Sequence, residues 1–383
     1  MPEFSTHPPS PRRLVAGTMT GTSIDGDLDA ALVVIEGRGI SMRAAVVATR
    51  SWPLGALADD LRRVAAQEPM SAGALAQIAR RFGESHADAL AALCSDAGVE
   101  PDLVVLHGQT VFHAPPTTWQ LLDPWPVAAR LRCRVRYDLR GANVASGGQG
   151  APITPLADFV LLGDDAAASV VINLGGFANA TYVPVRGDGV EAIRGFDACA
   201  CNHLLDRVAR DRLGRGFDAD GAAASAGHAD HAMVESIAAA LAAPRDAHRS
   251  RRSLGTGDEA ARLVERTASL SPSDACRTVT DAVARAIVRV IQSEIGVRAA
   301  RSARWILAGG SARNAALREA IARESSTEVR TTMESHGVPV HMREAAEIAV
   351  LGALADDGVR YSLAAVTGAA SLVPEGAVLA GPR

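Results

Sequence analysis

The chain has no lysine: every one of its 39 basic residues is arginine. That absence excludes a lysine-bearing Walker A loop and the strand lysine of protein kinases. Any phosphate chemistry must then rest on backbone N–H groups, hydroxyls, arginine and a metal. Genomic base bias is the bland account of the absence, and it leaves the exclusion intact. Long apolar runs are missing too, because Arg, Asp and Gly interrupt every candidate before the roughly 18 to 20 residues that a bilayer crossing needs. A soluble protein is expected, with no membrane partner. Charge of one sign is also lacking, since 39 basic against 43 acidic residues leave a net charge of only -4. No strong electrostatic term draws such a surface to nucleic acid, so a small molecule is the expected partner. The five cysteines, an odd number in 383 residues, make no disulfide framework. They fit a reducing compartment, and cytoplasm is inferred. The opening stretch, Met1 to Arg13, is rich in Pro, Ser and His and lacks the apolar core of a secretory signal. It reads as a disordered leader.

What is present is apolar residue in quantity, 48% of the chain, ample for a large core and too much for one compact layer. Two domains are the natural expectation. Leu14 to Thr18 and Asp29 to Ile35 are apolar runs of strand length joined by a Gly/Thr/Ser/Asp segment. Ser169 to Leu174 and Ala180 to Val185 flank Gly175-Gly-Phe-Ala-Asn179 in the same way, so one strand-turn-strand device occurs in each half. Helical spacing predicts helices over Ser71 to Ala97, with Ser71 as N-cap, and over Asn202 to Arg212, Asp274 to Ile295 and Arg343 to Asp356. Leu103 to Leu106, Val135 to Asp138 and Arg304 to Leu307 read as further strands. Strands alternating with helices predict an α/β protein of two related lobes. The Gly-rich stretch Gly141 to Gly150 is taken as the crossing, giving a leader over 1–13, an N-terminal lobe over 14–140 and a C-terminal lobe over 141–383. The extreme C-terminus is a candidate to return to the first lobe.

Three Gly-bearing turns carry the candidate chemistry. The first, Gly17 to Gly26, mixes hydroxyls and open backbone with one carboxylate, Asp25, and can bind phosphates and hold Mg²⁺. Its candidate phosphate contacts are Gly21, Thr22, Ser23, Asp25 and Gly26, with Asp25 also the metal ligand. The second offers Gly175, Gly176 and Asn179. The third, Ala308 to Asn314, follows a predicted strand and opens a predicted helix, and it offers Gly309, Gly310 and Asn314. Plain structural turns are the alternative for each. Two such turns facing one another across a cleft would cradle a polyphosphate, and ATP is the expected ligand.

These strings resemble the anhydro-N-acetylmuramic acid kinase family. Gly17 to Gly26 is similar to its opening motif, and Leu106-His-Gly-Gln-Thr-Val-Phe-His-Ala-Pro115, Asp138-Leu-Arg140, Ala145 to Pro152, Ile172 to Asn179 and Gly195-Phe-Asp197 match in order. Ala308 to Asn314, Arg343-Glu-Ala345 and Val366 to Ala369 extend the likeness over nearly the whole chain. The resemblance implies the duplicated fold shared by sugar kinases, actin and Hsp70. It also implies a coupled reaction in which water opens the 1,6-anhydro bridge at C1 while O6 takes the γ-phosphoryl of ATP. By motif position Asp197 is the base that takes the water proton, with a helix N-cap as its plain alternative. Arg140 and Glu344 are then sugar contacts, with surface ion pairing as the alternative. Gln109 and Gln149 bond either sugar hydroxyls or loop backbone. A cytoplasmic homodimer in cell-wall recycling is implied as well.

The sequence departs from the family after Asp197, where Ala198-Cys-Ala-Cys201 stands for Thr-Gly-Pro. Loss of a hydroxyl, a flexible Gly and a rigid Pro beside the base leads us to expect an altered sugar preference, toward levoglucosan or another sugar. Loss of catalysis, leaving a nucleotide-binding regulator, is the further alternative. Asn143 also replaces an expected Asp, and Asp27 is one extra residue before Leu28. Cys199 and Cys201 read as small core fillers, and His228-Ala-Asp-His231 as a solvated helix start.

Overall fold

The computed structural model describes residues 12–21, 24, 26–243, 257–369 and 376–379. The chain divides into two compact units, Met1–Leu161 with Glu344–Arg383, and Leu162–Arg343. In the first unit the strands are β1 (Arg12–Met19), β2 (Asp27–Glu36), β3 (Arg43–Pro53), β4 (Leu103–Leu106), β5 (Gln109–Ala114), β6 (Thr117–Leu121) and β7 (Arg134–Tyr137). The second unit contains β8 (Ser169–Leu174), β9 (Phe177–Val183), β10 (Arg194–Ala200), β11 (Arg304–Ala308) and β12 (Val329–Thr331), and β13 (Ala377–Leu379) belongs again to the first.

The two sheets repeat one topology. In the first, the order is β13-β7-β4-β1-β2-β3, with β1, β2 and β3 antiparallel and β1, β4 and β7 parallel. In the second, the order β10-β9-β8-β11-β12 again sets three antiparallel strands beside two parallel ones. The strand-turn-strand devices β1–β2 and β8–β9 hold equivalent places. Burial follows position: Leu103–Leu106 is buried throughout as a central parallel strand, whereas β3 alternates exposed and half-buried residues as an edge does. This is the mixed α/β duplication that the resemblance implies.

Helices cover the sheets where the periodicity predicts them. Ser71 caps Ala72–Ala97 by accepting from Ala74 N at 3.2 Å, and Ser271 caps Pro272–Ile295 by accepting from Asp274 N at 3.2 Å. Pro272–Ile295 is buried on most of its circumference, as a helix packed on all sides must be. Its one buried acid, Asp281, is offset by Arg277 at 3.0 Å and Arg323 at 2.9 Å. Arg343–Asp356 lies against the first sheet with almost no space between backbones. A Cβ at Gly17 would stand 2.2 Å from Ala345 O, and one at Gly352 would stand 2.1 Å from a Val105 methyl. Glycine is what allows this approach. Among the described residues no helix is long and apolar enough to cross a membrane.

Two boundaries differ from the expectation. Gly141–Gly150 does not separate the units; the chain crosses at 161/162 and returns at 343/344. The reason is Asn143, whose carboxamide ties this stretch into the first unit. Its Nδ2 donates to Ser362 Oγ and, at 3.1 Å, to Thr367 Oγ1, while its Oδ1 accepts from Gly150 N at 2.7 Å. Arg12 and Arg13, read as leader, open β1, where Arg13 pairs with both oxygens of Asp357 at 2.8 Å. Met1 to Pro11 lie outside the described residues.

Candidate active site

In the second unit, two Gly turns stand side by side at the carboxyl ends of parallel strands. Gly175–Gly176 joins β8 to β9, and Gly309–Gly310 leaves β11, whose Ala308 is paired with Asn173 of β8. Ligands of open α/β sheets collect at such ends. The turns meet through bare backbone: Gly309 has φ 84°, and a Cβ on it would lie 2.8 Å from both N and O of Leu174. Gly310, by contrast, is exposed, and a Cβ there would meet nothing within 4 Å.

The helix Asn202–Leu213 starts against the first of these turns. It has no side-chain cap, so its leading amides go to the turn's carbonyls: Asn202 N to Gly175 O at 3.0 Å, and Cys201 N and His203 N to Gly176 O at 3.0 and 3.2 Å. Helix and turn therefore satisfy one another. His203 covers Gly176 closely, its Nε2 2.7 Å from where a Cβ would be, and its ring meets Phe177 edge-on at 4.7 Å.

Asp197 lies in β10, exposed, and it does not cap the following helix, whose N-cap is Cys201. Register places it opposite Asn179, which is in turn opposite Asn173. Directly opposed residues share a sheet face, so two carboxamides and a carboxylate form a polar row beside the Gly turns. Asn314 is buried and caps Ala315–Ser325, its Oδ1 accepting from Leu317 N at 3.0 Å. That oxygen is already committed.

In the first unit, Gly21 and Gly26 are described, whereas Thr22, Ser23 and Asp25 lie outside the described residues. The turn is braced at several points. Thr20 Oγ1 donates to Gln109 Oε1 at 2.7 Å, both side chains being buried, and Leu54 N donates to Gly26 O at 2.7 Å. Arg62 Nη2 donates to Ile24 O at 2.6 Å. Gln109 thus supports the turn with its oxygen. Gln149 is exposed, its backbone N–H donating to Thr367 O at 2.8 Å.

Arg140 is half-buried, and the Glu344 carboxylate acts on its charge. Burial of its guanidinium lowers the pKa to about 10, the Glu344 carboxylate opposing that shift, so it stays cationic at neutral pH. Its Nε is buried without a hydrogen-bond partner. His113 and Arg140 converge on Gly150, where a Cβ would lie 2.9 Å from His113 Cε1 and 3.2 Å from Arg140 Cγ. His107 is buried beside them. Burial first, then the Arg140 charge, brings its pKa down to about 3, and its Nε2 has no partner. His86, also at about 3 through burial, shares a 2.8 Å hydrogen bond between its Nδ1 and Thr18 Oγ1. Both imidazoles are neutral.

The first unit therefore contains Gln109, Arg140, Gln149 and Glu344, and the second contains Asp197, Gly175, Gly176, Asn179, Gly309, Gly310 and Asn314. Asn173, Asn202, His107 and His113 join these groups although no sequence argument pointed to them individually. Three of them lie inside the motif strings, which was the available signal. The Ala198–Cys201 segment belongs to the core: Ala198, Cys199 and Cys201 are buried in the second unit's apolar cluster. Its side chains pack inward, which removes the ground for an altered sugar preference. No disulfide joins any of the five cysteines, and burial holds the Cys201 thiol well above its usual pKa. His228 is exposed, and no metal-holding group of three or more His, Cys, Asp or Glu side chains occurs among the described residues.

A family model described as anhydro-N-acetylmuramic acid kinase matches residues 13–381. A protein of that name from Synechococcus sp. is 33% identical over 92% of this chain and 96% of its own length. The one from Cupriavidus pinatubonensis is 34% identical over 92% and 95%, and the one from Gloeobacter violaceus 32% over 95% and 98%. Among solved structures, component A of (R)-2-hydroxyglutaryl-CoA dehydratase from Acidaminococcus fermentans is similar over 88% of this chain and 96% of its own, at 12% identity and a TM-score of 0.42. On the extent of the sequence matches, the chain belongs to the anhydro-N-acetylmuramic acid kinase family.

Proposed function

We propose that the chain phosphorylates 1,6-anhydro-N-acetylmuramic acid at O6 with ATP while water opens the anhydro bridge. The observation that carries this reading is Asp197, an exposed carboxylate in a polar row with Asn179 and Asn173, in the same unit as the paired turns at the ends of β8 and β11. Water adds to C1 and the C1–O6 bond breaks. Asp197 takes a proton from that water. The freed O6 accepts the γ-phosphoryl group, and ADP leaves. Phosphoryl transfer depends on positioning and charge neutralisation, which suits a site of backbone turns in a chain without lysine. The backbone of Gly175, Gly176, Gly309 and Gly310 holds the phosphates, and the Gly21 to Gly26 turn is the first unit's own candidate for a phosphate contact.

Mg²⁺ belongs to the proposal as the ion that neutralises the polyphosphate, with Asp25 as its protein carboxylate. Arg140 and Glu344 bind the sugar. A half-buried arginine whose inaccessible Nε has no hydrogen-bond partner suits the carboxylate of the lactyl ether, since charge-assisted bonds of this kind are the strong ones. A cytoplasmic homodimer acting in cell-wall recycling completes the proposal and rests on family membership.

The test is product analysis in ¹⁸O-labelled water. ATP and the anhydro sugar should give ADP and a 6-phosphorylated reducing sugar with the label at C1. Turnover of levoglucosan in preference to anhydro-N-acetylmuramic acid would overturn the substrate, and label found in phosphate would overturn the coupled step.

A further inference from the structure

We infer that Asn202 is a positioning residue that locks the two Gly turns of the second unit together, and that this lock sets the affinity for ATP. The inference rests on the proposed function, in which these turns hold the phosphates. Asn202 bonds both turns at once. Its backbone N–H donates to Gly175 O at 3.0 Å, and its Oδ1 accepts from the hydroxyl of Ser311, the residue that follows Gly309–Gly310. The same Oδ1 accepts from the Cys201 thiol at 3.6 Å. One carboxamide oxygen is thus held by two donors from different segments, and its residue is half-buried at the first position of a helix.

Three features make this a lock and not a chance contact. The helix lacks a side-chain cap, so it depends on the turn carbonyls for its leading amides and cannot drift from the turn without losing them. Gly309 touches Leu174 through backbone alone, so the two turns have little freedom except to slide or splay. The Ser311–Asn202 bond opposes that remaining motion. A phosphate bound by amides from both turns needs their spacing fixed, because a site that must be ordered at binding has a lower affinity than one ordered beforehand. Cys201, one of the residues that depart from the family pattern, adds a donor to this bond.

The test uses the full chain carrying Asn202→Ala, Ser311→Ala, both together, or Ser311→Thr. For each, the Kd of ATP is measured by calorimetry without sugar, with the KM values of ATP and sugar and the melting temperature. Loss of one such bond should raise the Kd of ATP about three- to tenfold. The double variant should be no weaker than the weaker single, since either change removes the same bond. Ser311→Thr keeps the hydroxyl and should bind as wild type, and the KM of sugar should not move. A lowered melting temperature with unchanged ATP affinity would make the bond merely structural and overturn the lock, as would additive effects or a shift confined to the sugar. Wild-type chain that binds no ATP would instead bring down the functional reading on which the lock stands.

Discussion

Gly309 and Gly310 are neighbours, yet adding the same methyl group to each should do opposite things. At Gly309 the backbone has φ 84° and ψ 169°, a conformation that residues with a Cβ adopt at a cost of about 1 to 3 kcal/mol. The new Cβ would also lie 2.8 Å from Leu174 N and O and 2.7 Å from Asn173 Oδ1, where backbone must move. Overpacking of that kind adds about 1 to 3 kcal/mol. Gly309→Ala should therefore destabilise the second unit by about 2 to 6 kcal/mol, which for a unit of this size lowers the melting temperature by about 5 to 25 °C. At Gly310 nothing lies within 4 Å of the new carbon and no positive φ is required. Gly310→Ala should leave melting unchanged and weaken ATP binding, because an exposed methyl on a phosphate-facing turn keeps the ligand off the backbone. Scanning calorimetry and ATP titration of both variants decide the matter. A Gly309→Ala protein that melts like wild type refutes the packing argument, and a Gly310→Ala protein with full ATP affinity refutes the placement of the nucleotide.

Asp197→Asn should keep the Kd for ATP and lose turnover by roughly 10² or more, as the removal of a general base does; near-normal kcat with the anhydro sugar takes Asp197 out of the mechanism. Acid should unfold the first unit in a definite window. Unfolded chain takes up protons on His86 and His107 near pH 6.5, while burial holds both folded pKa values at about 3. The unfolded state thus binds more protons between those values, and stability falls as pH is lowered, by on the order of 3 kcal/mol per histidine at pH 4. Denaturant titrations from pH 7 to pH 4 should show this slope, and His86→Gln should flatten it; an unchanged slope would mean the imidazole is already charged. Cys199→Gly, which restores a family residue, should cost about 1 to 3 kcal/mol through lost core packing and a strand glycine. The ratio of kcat/KM for anhydro-N-acetylmuramic acid over levoglucosan should stay the same, and a shift in it would return the segment to the sugar pocket.

The duplication was legible because its signal is local. Each lobe announces itself by two apolar runs of strand length around a polar Gly turn, and β1–β2 and β8–β9 form where those runs lie. The helix cap Ser71 works in the same local way. Long-range pairing is not local, and there composition misleads. Gly141–Gly150 has the composition of a linker, yet Asn143 reaches more than 200 residues along the chain to Ser362 and Thr367 and makes it part of the first unit. Gln109 is equally open between sugar and loop in the sequence, and only the fold places its oxygen on the Thr20 hydroxyl. The neutral buried pair His86 and His107 carried no sequence signal of burial, since histidine suits a surface as well as a core.

The segment after Asp197 shows how one backbone irregularity can reverse an inference. In a regular strand, side chains alternate, so Asp197 and Cys199 would share a face, and a change at Cys199 would sit beside that carboxylate. The register breaks there: Asp197 pairs with Asn179, but Cys199 pairs with the very next residue, Ala178. A bulge of this kind puts one extra residue into the strand and turns the residues beyond it to the other face. Asp197 stays exposed while Ala198 and Cys199 both turn into the core. Residues next to Asp197 in sequence are thereby separated from its side chain by the thickness of the sheet, and their exchange tests packing. The sensitive neighbour is three places beyond Cys199, at Asn202, where the chain leaves the core, opens a helix against Gly175 and accepts the Ser311 hydroxyl. A change of side chain there alters the spacing of the two turns, and through it the site.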